Sequence, residues 1–81
     1  MIPKVTSAKY VKNFTIHLSF SDGTEGDIDL SDELYGEIFE PLHDQTAFKA
    51  FKIHPEFRTL FWDNGADFAP EFLYEKVQVN V

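Results

Sequence analysis

His17, Asp27 and Asp29 are the residues of this 81-residue chain whose types and spacing come nearest to a reaction centre. Asp27 and Asp29 stand two apart on one expected strand and so share a face, where one charge can tune its neighbour for acid-base work. Ser19 and Ser21 follow His17 on the preceding strand, yet no nucleophile elbow or oxyanion-hole sequence accompanies them. A solvated polar face accounts for the group better, and hydrolysis through His17 with Asp27 or Asp29 ranks third among the functional readings. His17, His43 and His54 fall on a strand, in a loop and before a proline, without the i, i+4 spacing of a helical metal pair. A zinc site needs three or four convergent ligands. The chain has no cysteine, which removes disulfides, thiolate metal sites and cysteine nucleophiles. No enzymatic activity, metal or cofactor is expected.

A second group, Trp62, Asp63, Asn64 and Asp67, surrounds one turn and offers oxygens to a cation or to the amine of a ligand. Asn64-Gly65 supplies the turn itself, and Asp67 stands where a carboxylate accepts backbone N–H groups ahead of Pro70. A calcium loop needs more oxygen ligands at tighter spacing. Local structural work is therefore the favoured account, with Trp62 in the core or at its edge. If the chain has a binding surface, these four residues are its candidates: tryptophan is favoured at interface hot spots, and Asp63 has no evident structural task.

The elements that must position these groups read as follows. Lys4 to Val11 carry Val5, Thr6, Tyr10 and Val11 and predict a first strand with a bulge. After a turn at Lys12-Asn13, Phe14, Ile16, Leu18 and Phe20 alternate with Thr15, His17, Ser19 and Ser21, which puts four large apolar side chains on the core and His17 on the opposite face. Asp22-Gly23 takes the positive φ of a tight hairpin. In the third strand Ile28 and Leu30 point inward and Glu25, Asp27 and Asp29 outward, so His17, Asp27 and Asp29 meet on the polar face. Ser31-Asp32-Glu33 predicts a short helix ended at Gly36. Leu34, Ile38, Phe39 and Leu42 then cover the sheet, with Pro41 stopping any longer helix. Asp44 caps a helix from Gln45 to Phe51 whose Ala47, Phe48 and Phe51 share a face. His54, held out of the helical region by Pro55, ends an extended stretch, and Thr59 to Trp62 predicts another strand. Pro70 opens a last helix through Lys76. Val77, Val79 and Val81 alternate like a strand, predicting a pairing either with a sheet edge of this molecule or with a second copy across a twofold axis, a homodimer through Val77–Val81. The expectation is one α+β domain over residues 1–81: a small antiparallel sheet, built as a three-stranded meander plus a later hairpin, packed by two or three short helices.

A chain of this length buries roughly 60% of the surface its unfolded form exposes. Nine Phe, three Tyr and one Trp bring the area that a core this small needs. Fourteen Asp and Glu against seven Lys and Arg give a net charge of −7, the wrong sign for phosphate contacts, so no direct nucleic-acid binding is expected. The same balance suits a basic protein partner. No apolar run approaches the ~20 residues of a membrane span, and no signal-peptide core follows Met1. A cytoplasmic location is the expectation.

With those residues placed, the chain resembles the domain of unknown function 2442 family, the fold type of the N-terminal domain of a two-domain bacterial protein. The resemblance is carried by Phe20-Ser21-Asp22-Gly23, Asp29-Leu30, Phe39-Glu40-Pro41-Leu42 and Trp62-Asp63-Asn64-Gly65-Ala66-Asp67, with Pro70-Glu71 and Leu73-Tyr74. It implies a small α+β fold without an assigned activity. It also implies a bacterial gene context, often beside a small protein of the domain of unknown function 4160 family, that looks like a toxin and antitoxin pair; other members precede a helix-turn-helix domain. Two positions depart from the family pattern. Asp63 stands where proline is usual, and Ala69 where a capping Asp or Ser is frequent, which weakens the last helix start by about 1 kcal/mol unless Asp67 substitutes. The favoured reading is a non-enzymatic module that docks a small basic protein partner, as the antitoxin-like member of such a pair. The alternative is a small-ligand sensor with a pocket near Trp62 and Asp67.

Overall fold

The computed structural model describes residues 3–79. Three strands, β1 (Val5–Lys12), β2 (Thr15–Phe20) and β3 (Glu25–Asp29), form an antiparallel meander in that order. The β2 alternation lands as its pattern requires: Ile16, Leu18 and Phe20 are buried, Phe14 packs against them from the partly exposed margin, and His17 faces the other way. β1 pairs with β2 through two register shifts, between Val5 and Ser7 and between Tyr10 and Lys12, the irregularity its weaker alternation predicts. A second sheet pairs β4 (Lys52–Ile53) with β5 (Leu60–Phe61). The fold is α+β.

Two hairpins share one turn geometry. In the first, the Phe20 N–H donates to Thr24 O at 2.8 Å and the Gly23 N–H to Phe20 O at 3.0 Å. In the second, the Trp62 N–H donates to Ala66 O at 2.8 Å and the Gly65 N–H to Trp62 O at 3.0 Å. Each is a three-residue loop that closes on a glycine, Gly23 at φ +90° and Gly65 at φ +95°. The positive φ falls on the glycine alone; Asp22 and Asn64 instead use their side chains, which accept the N–H of Thr24 and of Ala66, each at 3.0 Å.

Between the sheets the chain is more tightly wound than expected. Ser31–Glu33 forms one 3₁₀ turn and Glu37–His43 a seven-residue 3₁₀ segment that contains Pro41 rather than ending at it. The Pro41 carbonyl accepts from the Asp44 N–H, so the segment tolerates proline where an α-helix would not. Ile38 is 46% exposed and does not cover the sheet; Leu34 and Leu42 do. Asp44 caps α1 by accepting the Thr46 N–H at 2.9 Å, but α1 stops at Phe48 (Gln45–Phe48). Phe48 is fully buried at the aromatic centre, 5.1 Å edge-on from Phe14 and 5.7 Å from Trp62.

The last helix, α2 (Pro70–Val79), runs past Lys76. Val77 to Val79 are helical rather than extended, because Leu73 and Val77, one turn apart, are both buried and hold the helix on the sheet. Asn80 and Val81, the end of the expected strand, lie outside the described residues. α2 packs closely over Gly26, where an added Cβ would stand 3.0 Å from Val77 Cγ1. Tyr74 ties the same helix to the first hairpin by donating to Asp22 Oδ2 at 2.6 Å.

Candidate functional site

The second hairpin separates the four candidate residues by depth. Trp62 is 2% exposed, and its indole N–H donates to the buried Phe48 carbonyl at 2.9 Å. The tryptophan is a core residue with its polar edge satisfied. Asp63, next in the chain, is on the surface and forms a two-oxygen ion pair with Lys52 Nζ, both distances 3.0 Å. The pair joins β4 to the turn that follows β5, so Asp63 has a partner across the second sheet. Asn64 is exposed but occupied: its amide donates to Ile38 O at 2.9 Å while its oxygen accepts the Ala66 N–H. That bond fastens the turn to the 3₁₀ segment.

Asp67 differs from the other three. It bridges Phe61 on the returning strand, and its neighbours Ala66 and Phe68 are buried, so the twofold alternation of an extended chain turns its carboxylate outward. Its carboxylate takes part in none of the side-chain hydrogen bonds found among the described residues, and the first backbone bond of α2 runs from the Leu73 N–H to Ala69 O at 3.2 Å. Among the described residues the ion pairs are His17 with Glu25 and with Asp27, Lys52 with Asp63, and Lys76 with Glu33, and Asp67 is in none of them.

The exposed Asp67 and Ala69, over the buried Phe68, form a ridge shared by two grooves. One, of about 240 Å³, lies toward Glu33, Tyr35, Phe39 and Phe72. The other, of about 450 Å³, lies toward Phe57, Thr59, Pro70 and Glu71. Tyr35 and Phe57 stand at the rims 74% and 65% exposed. Phe57 is held there by His54, whose Nδ1 accepts the N–H groups of Glu56 and Phe57 at 3.1 Å each and whose ring lies 4.6 Å from the Phe57 ring. A separate crevice of about 190 Å³ runs against Trp62, Asp63 and Asn64. Of these hollows, the one against Trp62 and the two beside Asp67 have no lining residue in common.

On the open face of the first sheet, His17 meets Asp27 as the pattern requires, Nδ1 to Oδ1 at 2.7 Å, and meets Glu25 through Nε2 at 3.2 Å. Asp29 is not part of this group. Its register partner on β2 is Thr15, and its carboxylate turns forward to accept the Ser31 N–H at 2.9 Å. The Asp27 hydrogen bond is the largest influence on the His17 pKa; desolvation opposes it, and with the Glu25 hydrogen bond added the net direction is upward. With both ring nitrogens facing carboxylates the imidazolium form is favoured, and an imidazolium has no lone pair with which to act as a base. Ser21 Oγ is engaged too, accepting the Lys4 N–H at 3.0 Å. His43 lies elsewhere, donating to Leu34 O. Among the described residues no group of three or more His, Asp or Glu is arranged to hold a metal ion, and no helix is long and apolar enough to cross a membrane.

A family model described as a protein of unknown function, DUF2442, matches residues 5–78. The chain belongs to this family. No curated protein and no solved structure matches it. In this DUF2442 member the residues that carry the family likeness have visible tasks: Gly23 and Gly65 close the two hairpins, Trp62 and Leu73 fill the core, and Tyr74 joins α2 to the first turn. Asp67, bridged to Phe61 through its backbone, presents a carboxylate that is in no ion pair among the described residues. Sequence reasoning missed its surroundings, since Tyr35, Phe57 and Phe72 come from three distant segments. The available signal was an aromatic beside a turn residue, in Tyr35-Gly36 and in Pro55-Glu56-Phe57.

Proposed function

We propose that this DUF2442 chain is a non-enzymatic binding module that docks a small basic protein, as the antitoxin-like member of a toxin and antitoxin-type pair. The observation that carries the reading is the surface around Asp67, where two largely exposed aromatic side chains flank an exposed carboxylate that is in no ion pair among the described residues. Large aromatic side chains left in water are the residues that dominate binding energy when a partner covers them. A net charge of −7 steers a basic partner toward the module at low salt. The pairing with a toxin-like protein rests on the family's gene context alone. The test is co-expression with the product of the adjacent gene, followed by calorimetric titration of the purified pair. Binding at micromolar affinity or tighter is the expected result, and no heat at that concentration would remove the reading.

The crevice against Trp62 favours a second reading, a small-ligand sensor. Its volume of about 190 Å³ falls below the roughly 300–1,000 Å³ usual for small-molecule sites, which ranks it behind protein docking. Indole fluorescence that stays constant across a metabolite library would dispose of it. A homodimer through Val77–Val81 ranks lower again: Val77 is 1% exposed in the core, so strand pairing would require the end of α2 to unwind.

A further inference from the structure

We propose that the ridge at Asp67 is the docking site for a short segment of the partner protein in which a lysine or arginine is flanked by large apolar side chains. This deepens the protein-docking reading and rests on it. The two grooves share the ridge, so one bound segment straddles it and places an apolar side chain on either side. The charges of the lining are of one sign: Glu33 and Asp67 in the first groove, Asp67 and Glu71 in the second, with no Lys, Arg or His lining either. A cation on the segment between its two apolar anchors meets Asp67.

The floor of the first groove also suits a cation. Phe68 stacks on Phe39 at 5.0 Å and on Phe72 at 5.6 Å, which presents aromatic faces beside carboxylates. The molecule uses this chemistry within its own chain. Lys76 Nζ stands 6.0 Å over the Phe72 ring and 3.5 Å from Glu33 Oε2. That ammonium neutralises Glu33 and leaves Asp67 and Glu71 for the partner. One rim residue is placed before binding: the His54 ring and its two accepted N–H groups hold Phe57 outward, which reduces the ordering cost of association. A phosphorylated or acidic segment, by contrast, would bring like charge onto the ridge.

The test begins with a displayed library of random twelve-residue peptides selected on the folded 81-residue chain. The expected consensus is a Lys or Arg with large apolar residues on both sides. The best peptide, added to ¹⁵N-labelled protein, should shift the amides of Tyr35, Phe57, Asp67 and Phe72. Asp67→Asn should weaken that peptide about five- to tenfold and reduce the salt dependence of binding, and Phe57→Ala should weaken it about tenfold. Both side chains are exposed, and unchanged urea midpoints would confirm that the variants are folded. A selection without a basic consensus, or shifts confined to another face, would overturn the proposal. The product of the adjacent gene separates the two ideas: if it binds the wild type and both variants equally, the docking reading stands and the Asp67 site falls, whereas failure to bind the wild type removes the docking reading itself.

Discussion

Trp62 is the side chain on which the second hairpin depends, and its contribution has two parts. The indole fills space beside Phe48 and Phe68, and its N–H supplies the hydrogen bond that the Phe48 carbonyl receives at 2.9 Å. Phe48 is the last residue of α1, so the bond joins a helix end with unpaired carbonyls to the strand that follows β4. Trp62→Phe keeps an aromatic ring but removes the donor and leaves a void. The expected loss is about 2–3 kcal/mol, from an unsatisfied buried carbonyl together with a partly filled cavity. Urea denaturation followed by far-UV circular dichroism measures it, and a loss below about 0.5 kcal/mol would show that the bond is replaced by solvent. The neighbouring Asp63 is a contrast. Its pair with Lys52 lies at the surface with both side chains more than half exposed, so it stabilises the turn by no more than the fraction of a kcal/mol usual for such pairs.

At the scale of elements, the joint between β3 and α2 is the tightest described contact involving a glycine. Gly26 occupies β3 where any side chain would meet Val77 Cγ1 at 3.0 Å, so glycine is kept there for space and not for an unusual backbone angle. Gly26→Ala is expected to cost about 1–2 kcal/mol by pushing α2 off the sheet. In a Val77→Ala background the same change should cost almost nothing, since the clashing methyl is gone, and a double-mutant cycle on urea midpoints reads the coupling. Additive costs would refute the steric account. The same joint shows what pattern reading resolves and what it does not. β2 and both glycine turns were legible because a period of two, and an Asx-Gly pair, are local signals. The helical end of α2 was not, because Val77, Val79 and Val81 satisfy a strand period while the contact that decides, Val77 against Gly26, lies 51 positions away in the chain. Pro41 misled for a related reason: it forbids an α-helix, but the tighter 3₁₀ winding accommodates it. The depth of Trp62 and the cross-strand partner of Asp63 needed tertiary structure, as did the grooves beside Asp67.

Across the whole molecule the titrating groups act on stability in opposite directions. Asp22, whose carboxylate accepts foremost from Tyr74, and Asp29, which accepts foremost from the Ser31 N–H, have pKa values lowered below the ordinary 3.8. Their contribution is therefore fully present above 3.8 and lost as the pH falls through the lowered folded-state values. His17 behaves the other way. Its pKa is raised above 6.5 by Asp27 and Glu25, so its contribution is complete below 6.5 and disappears as the pH rises through the folded-state value. Lys9 is its register partner on β1, and Asp27 on β3. The net charge of −7 acts in the same direction as His17, because self-repulsion among carboxylates grows as the pH leaves the acid range. All three contributions are complete together only between 3.8 and 6.5, and the maximum of stability is expected inside that window rather than at neutral pH or above. Urea midpoints taken from pH 3 to pH 9 test this. Two controls separate the causes on the alkaline side: His17→Gln should remove part of the decline through neutrality, and added salt should remove the part due to self-repulsion by screening it. A midpoint that rises steadily from pH 6 to pH 9 would mean that neither the His17 cluster nor the acidic surface governs how this fold responds to protons.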